Sequence, residues 1–143
     1  MYGGGVYKES GTFTMSGGTI TGNESAGMSA NASGGGVYND ADAFTMSGGT
    51  ITQNKSQCDG GGVYNKSGTF EMSGGAITDN ETKEYGGGVC NEDGTFEMSG
   101  GEITRNKSEK NGGGVQHASQ EPFKMRVRLR LPITRLFQME AVF

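Results

Sequence analysis

The tetrapeptide Gly-Gly-Gly-Val occurs five times, at residues 3–6, 34–37, 60–63, 86–89 and 112–115, at intervals of 31, 26, 26 and 26. A second block, Phe-x-Met-Ser-Gly-Gly, recurs at 13–18, 44–49, 70–75 and 96–101, and a third, Ile-Thr-x-Asn, at 20–23, 51–54, 77–80 and 103–106. The blocks keep constant separations, so the unit is a repeat of 26 residues, present about four and a half times. The five extra residues of the first repeat fall within 24–33 and read as an insertion in one loop. A fixed period of this length is the signature of a solenoid, in which each unit buries its apolar face only against its neighbours.

Periodicity also settles what the composition means. Gly contributes 28 of 143 residues and apolar residues only 31%, which in an irregular chain would indicate disorder. Here the glycines are ordered. They lack the every-third-residue spacing of collagen, and at about 1 kcal/mol per interior position they exclude a helical bundle. No run approaches the ~18 apolar residues of a membrane-crossing helix.

Within each repeat, Val-Tyr-Asn, Phe-x-Met-Ser and x-Ile-Thr are short extended segments rich in β-branched and aromatic residues, separated by Gly pairs and polar clusters. Three short strands per repeat without a helix predict one coil of a parallel β-helix, an all-β solenoid. Equivalent residues then stack ~4.8 Å apart. The expected interior ladders are Val6/Val37/Val63/Val89/Val115, Phe13/Phe44/Phe70/Phe96, Met15/Met46/Met72/Met98 and Ile20/Ile51/Ile77/Ile103. Asn23/Asn54/Asn80/Asn106 form an amide ladder at a bend. The residue after each Asn alternates in sign, Glu24, Lys55, Glu81, Lys107, and Asp79 falls beside Arg105. Both patterns favour the same register.

These blocks resemble the repeats of bacterial adhesin-like surface proteins. They are similar to the polymorphic outer-membrane protein repeat, with Gly35-Gly36-Val37 and Ile51-x-x-Asn54 as the matching elements. The resemblance covers residues 3–115. It implies a right-handed parallel β-helix and an extracellular stalk or passenger region at the cell surface, with host or cell-surface glycans or proteins as partners and no catalytic residues carried over.

The two ends depart from the pattern. Met1-Tyr2 leads directly into the first Gly block, with no signal-peptide pattern or capping segment, so the chain reads as part of a longer protein or a truncated frame. Residues 1–115 form the repeat region and 116–143 an atypical segment holding all three Leu, both Pro and four of the five Arg. Residues 1–120 carry seven basic and fourteen acidic side chains, net −7. Residues 121–143 carry five and two, net +3, giving the −4 of the whole chain. From Phe123 to Leu131 apolar and basic residues alternate, as in an amphipathic strand. This strand is expected to cap the last coil with Lys124 near Glu97. The competing reading is a foreign or frame-shifted tail.

Chemistry-bearing residues are sparse. The single His117 shares the repeat position of Asn39, Asn65 and Asn91. It is expected as an exposed side chain on a coil edge, since zinc or triad chemistry needs further partners. Glu71 and Glu97 share an outward position. A carboxylate pair can serve glycoside cleavage or bind Ca²⁺, so a carbohydrate-active β-helix (polysaccharide lyase or hydrolase-like) is the alternative function, and solvated surface charge the plainer reading. Asp40, Asp42, Glu92 and Asp93 cluster in loops where weak Ca²⁺ binding is conceivable. Cys58 and Cys90 differ by six repeat positions and read as unbridged thiols. Six Asn-x-Ser/Thr triplets, at Asn23, Asn31, Asn54, Asn65, Asn80 and Asn106, look like by-products of the repeat. The column Thr19, Thr50, Ala76, Glu102 breaks too early for an ice-binding Thr array. The acidic body argues against nucleic acid. The sequence therefore predicts a non-catalytic, rod-like structural or adhesion region, with no catalytic, cofactor-binding or metal-binding residue assigned.

Overall fold

A computed structural model describes residues 3–26, 33–118, 124–125 and 141–142. Among these residues every regular element is a strand, and all strand pairing is parallel. The first repeat supplies β1 (Val6–Lys8), β2 (Phe13–Met15), β3 (Thr19–Thr21) and β4 (Glu24–Ser25). The second supplies β5 (Val37–Asn39), β6 (Ala43–Met46), β7 (Thr50–Thr52) and β8 (Lys55–Ser56). The third supplies β9 (Val63–Asn65), β10 (Thr69–Met72), β11 (Ala76–Thr78) and β12 (Glu81–Thr82). The fourth supplies β13 (Val89–Asn91), β14 (Thr95–Met98), β15 (Glu102–Thr104) and β16 (Lys107–Ser108). Then come β17 (Val115–His117), β18 (Lys124–Met125) and β19 (Ala141–Val142).

Strands of equal rank pair across repeats, forming a β-solenoid. Its sheets run β1-β5-β9-β13-β17-β19, β2-β6-β10-β14-β18, β3-β7-β11-β15 and β4-β8-β12-β16. The expected ladders are in register: Val37 pairs with Val63, Phe70 with Phe96, Met46 with Met72 and Ile51 with Ile77. They form one continuous core. Phe44, Phe70 and Phe96 stack with centroids 4.6 and 4.9 Å apart and planes within 9°. Such offset stacking gains attraction beyond the area buried.

Each repeat has four strands, where sequence periodicity gave three. The missed strand is the pair of residues after the ladder Asn. It carries no apolar residue and shows no alternation, yet Ser25, Ser56 and Thr82 point inward and are fully or almost fully buried. Their hydroxyls find partners inside: Ser25 Oγ lies 3.1 Å from Ser56 Oγ, Ser56 Oγ donates to the Ser33 carbonyl at 2.9 Å, and Thr82 Oγ1 donates to the Cys58 carbonyl. A buried hydroxyl is tolerated when it is bonded.

The Asn ladder forms at the bend before this strand. Asn54 Nδ2 and its backbone N–H both donate to Asn80 Oδ1 at 3.0 Å, and Asn80 Nδ2 and N–H both donate to Asn106 Oδ1 at 2.9 Å. Each Nδ2 also reaches back to the carbonyl of Ile20, Ile51 or Ile77. The residue before each Asn is left-handed: Gly22 at φ +66°, Gln53 at +55°, Asp79 at +56° and Arg105 at +53°. A left-handed non-Gly residue costs about 1–2 kcal/mol, and Gly recovers that less about 0.5–1 kcal/mol of chain entropy. Gln53→Gly is therefore expected to raise stability by about 0.5–1 kcal/mol, read as a higher urea midpoint with an unchanged slope. Asp79 and Arg105 are poorer test positions because they form a bidentate ion pair at 2.8 and 2.9 Å.

Of the expected capping strand over 123–131, only Lys124 and Met125 lie within the described residues; the rest lies outside them. Those two pair with β14 at Glu97 and Met98. Of Pro132–Phe143, only residues 141–142 are described, and they pair with β17.

Candidate functional site

The outer face of the Phe sheet carries the most concentrated chemistry. Alternation turns Phe and Met inward, so the residue between them faces out. Strand register places Thr14, Thr45, Glu71, Glu97 and Lys124 in one column. Thr45, Glu71 and Glu97 line a depression of about 200 Å³ together with Ser73, Ser99 and Lys124. Lys124 Nζ donates to Glu97 Oε1 at 3.1 Å.

This column is an exception among the surface charges. Elsewhere, neighbouring coils complement one another. Lys66 meets Asp40 at 3.1 Å, Lys83 meets Glu109 at 2.7 Å, Lys110 meets Glu84, and Glu81 sits between Lys55 at 4.0 Å and Lys107 at 3.6 Å. Hydrogen bonding to Lys83 holds Glu109 below the usual carboxylate range, and Arg105 does the same for Asp79. Glu71 beside Glu97 is a like-charge neighbour pair, which disfavours the stack by a few tenths of a kcal/mol, about 0.2–1 at most. Lys124 offsets it on one side. General acid chemistry draws on a carboxyl withdrawn from water, and Glu71 is exposed. The pair thus presents carboxylate oxygens on the outer face, Glu71 exposed and Glu97 half-exposed beside the Lys124 ammonium.

Three of the four loop carboxylates, Asp40, Asp42 and Glu92, have structural partners. Asp40 pairs with Lys66, Asp42 Oδ2 accepts the Gly11 N–H at 2.7 Å, and Glu92 accepts the Tyr64 phenol. Among the described residues, no three His, Cys, Asp or Glu side chains are grouped to hold a metal ion. Asn54, Asn65 and Asn80 of the Asn-x-Ser/Thr triplets are buried with their amides bonded between coils. Asn31 lies outside the described residues.

His117 departs from expectation. It is half-buried, with Nδ1 3.0 Å from Asn91 Nδ2. An amide nitrogen only donates, so Nδ1 accepts. The ring ends a second, fully buried amide ladder, Asn39–Asn65–Asn91, linked at 2.6 and 2.5 Å. These Asn share one repeat position, and the recurrence of Asn after Val-Tyr or Val-Cys is the signal for a ladder that was missed. Lys8 holds the first-coil position, buried, with Nζ donating to the Ala41 carbonyl. Desolvation pulls its pKa down, against the pull of Asp42 and Asp40.

A further layer escaped sequence reading. Tyr38, Tyr64 and Cys90 point away from the main core yet are buried as a separate cluster. Cys90 and Cys58 both carry thiols. Burial pushes the Cys90 thiol and the Tyr64 phenol far up, with Asp59 and Glu92 adding to both. Asp59 is itself raised by burial. Cys90 and Tyr64 are therefore held protonated, and the layer serves as packing.

Compared with known proteins, the chain matches no family model, no curated protein and no solved structure.

Proposed function

We propose that this chain is a non-catalytic structural region of a surface or secreted protein, a rod that presents a binding surface. One observation carries the reading. The side chains with the best-defined polar geometry, the two Asn ladders and the buried hydroxyls, bond one coil to the next. They fix a scaffold and leave its outward columns as a repeating array of hydroxyls and charges. Contact distributed over such an array suits glycans or proteins of the host or cell surface better than a single small substrate. The extracellular setting, and membership of a longer chain, follow from the likeness of the repeats to adhesin-like surface proteins. The net charge of −7 over residues 1–120 disfavours nucleic acid as the partner.

The second reading, a carbohydrate-active solenoid, is favoured by the Glu71–Glu97 pair in its depression. A glycan array combined with a polysaccharide lyase and hydrolase screen separates the two. Binding without turnover is expected. Turnover that disappears in Glu97→Gln would replace the structural reading with the enzymatic one.

A further inference from the structure

Three departures from the repeat meet between the first and second coils. Where later coils carry Asn39, Asn65 and Asn91, the first carries Lys8, paired in register with Asn39. Where the other repeats carry Gly11, Gly68 and Gly94, the second carries Asp42. Asp42 is also left-handed, at φ +55°, a strained state for a non-Gly residue of the kind that clusters at functional sites. Third, Asn39 is fully buried and its Oδ1 has no hydrogen-bond partner, although buried polar atoms are nearly always paired.

These groups share one small space. Lys8 is 7% exposed, and its Nζ donates to the Ala41 carbonyl. A Cβ at Gly68 would lie 2.7 Å from Asn39 Nδ2 and 2.9 Å from the Ala41 carbonyl carbon. The amide of Asn39 and the carbonyl that holds Lys8 therefore border the same gap. The Asp42 carboxylate reaches back to the first coil, where Oδ2 accepts the Gly11 N–H at 2.7 Å. Burial draws Lys8 toward the uncharged, nucleophilic amine. Of the two carboxylates that oppose this pull, Asp42 acts more strongly than Asp40.

We propose that Lys8 and Asn39 condense to an intramolecular amide that staples the first coil to the second, with Asp42 as the proton relay. Lys8 Nζ adds its lone pair to Asn39 Cγ. Asp42 takes a proton from Nζ and delivers it to Nδ2. The Cγ–Nδ2 bond breaks, its electron pair leaves with the nitrogen, and ammonia departs. Nothing is oxidised or reduced, and no co-reactant is consumed. The new amide keeps one N–H to continue the bond that Asn39 Nδ2 donates to Asn65 Oδ1 at 2.6 Å. Strand register holds the reacting groups together, which is the main advantage of an intramolecular reaction. The staple is a covalent modification of the scaffold, separate from whatever the flanks of the rod bind.

Intact-mass spectrometry under denaturing conditions tests this on full chain first shown to unfold cooperatively. The expected mass is lower than that of the sequence by one ammonia, and proteolysis should yield a branched peptide joining Lys8 to Asn39. Lys8→Arg should keep its full mass. Asn39→Asp should lose one water instead, because the leaving group is then an oxygen. Asp42→Gly restores the residue of the other repeats, so it should fold, and it should form the link about a hundredfold more slowly. A full sequence mass in the unsubstituted chain overturns the proposal. So does an ammonia loss that persists in Lys8→Arg or maps to another residue. A link that forms as fast in Asp42→Gly overturns the relay.

Discussion

Gly61→Ala is expected to cost about 3 kcal/mol or more, a large share of the roughly 5–15 kcal/mol by which domains are stable. A Cβ at Gly61 would lie 2.4 Å from the Gly87 carbonyl oxygen, 2.7 Å from the Glu81 carbonyl oxygen and 2.8 Å from the Glu81 carbonyl carbon. All three are backbone atoms, one on the next Gly-Gly-Gly block and two on β12. A side chain in the way could change rotamer, but here the coil itself must move. Such a shift would disturb the hydrogen bonds that Gly61 and Gly62 donate to Gly86 and Gly87 at 3.0 Å. Gly17→Ala is the matched control. A Cβ there meets nothing within 4 Å and the backbone is not left-handed, so its effect should stay within about 0.5 kcal/mol. Urea midpoints of the two variants decide the matter. Equal midpoints would show that the Gly-Gly-Gly block is not held by close coil approach.

The second large effect belongs to Asn80. Its Oδ1 accepts two bonds from Asn54, and its Nδ2 donates to Asn106 Oδ1 and the Ile51 carbonyl. Asn80→Asp keeps the shape and removes the donor. At neutral pH it places a buried carboxylate against two acceptor oxygens, and a loss of about 3–5 kcal/mol is expected. The substituted carboxyl titrates higher in the fold than its value of ~3.9 in the unfolded chain. Stability relative to the unsubstituted chain is therefore lost as pH rises above that value and recovered as pH falls through the folded pKa. The protonated acid can donate where the amide did. Asn80→Ala lacks any titrating group, so its deficit should not change with pH. Midpoints measured for each variant against the unsubstituted chain at pH 4 to 7 remove the common effect of surface pairs such as Asp79 with Arg105. A pH-independent deficit in Asn80→Asp would exclude a buried carboxylate.

The parts of the fold that were legible in the sequence are those where repetition coincides with hydrophobicity. Val, Phe, Met and Ile recur at fixed intervals, and a parallel stack turns that recurrence directly into contacts. The Asn ladder and the alternation from Glu24 to Lys107 were legible for the same reason. The strand after each ladder Asn was not, because Lys-Ser and Glu-Thr look like turn residues until the hydroxyl is seen pointing inward. The Tyr38–Tyr64–Cys90 layer was hidden by a different effect. Alternation places it on an outward face, and its cover includes Glu92, two repeat positions on in the next coil, which accepts the Tyr64 phenol. His117 was misread because a lone His was judged by its own chemistry and not by the ladder position it fills. At the candidate site, the stacking of Glu71 on Glu97 followed from the period. The depression around them did not, because it depends on Lys124, which arrives one residue out of phase with the repeat.

The stacking of coils also sets how the solenoid answers tension. Its inter-coil hydrogen bonds run along the stacking axis, so a pull along that axis loads the boundaries between coils. A coil that detaches gives up a rise of ~4.8 Å and releases 26 residues, which extend to roughly 90 Å at ~3.3–3.6 Å each. The molecule is thus stiff while intact and lengthens in discrete steps once the end coil yields. It can absorb strain by shedding coils singly, leaving the stack beneath each one to hold.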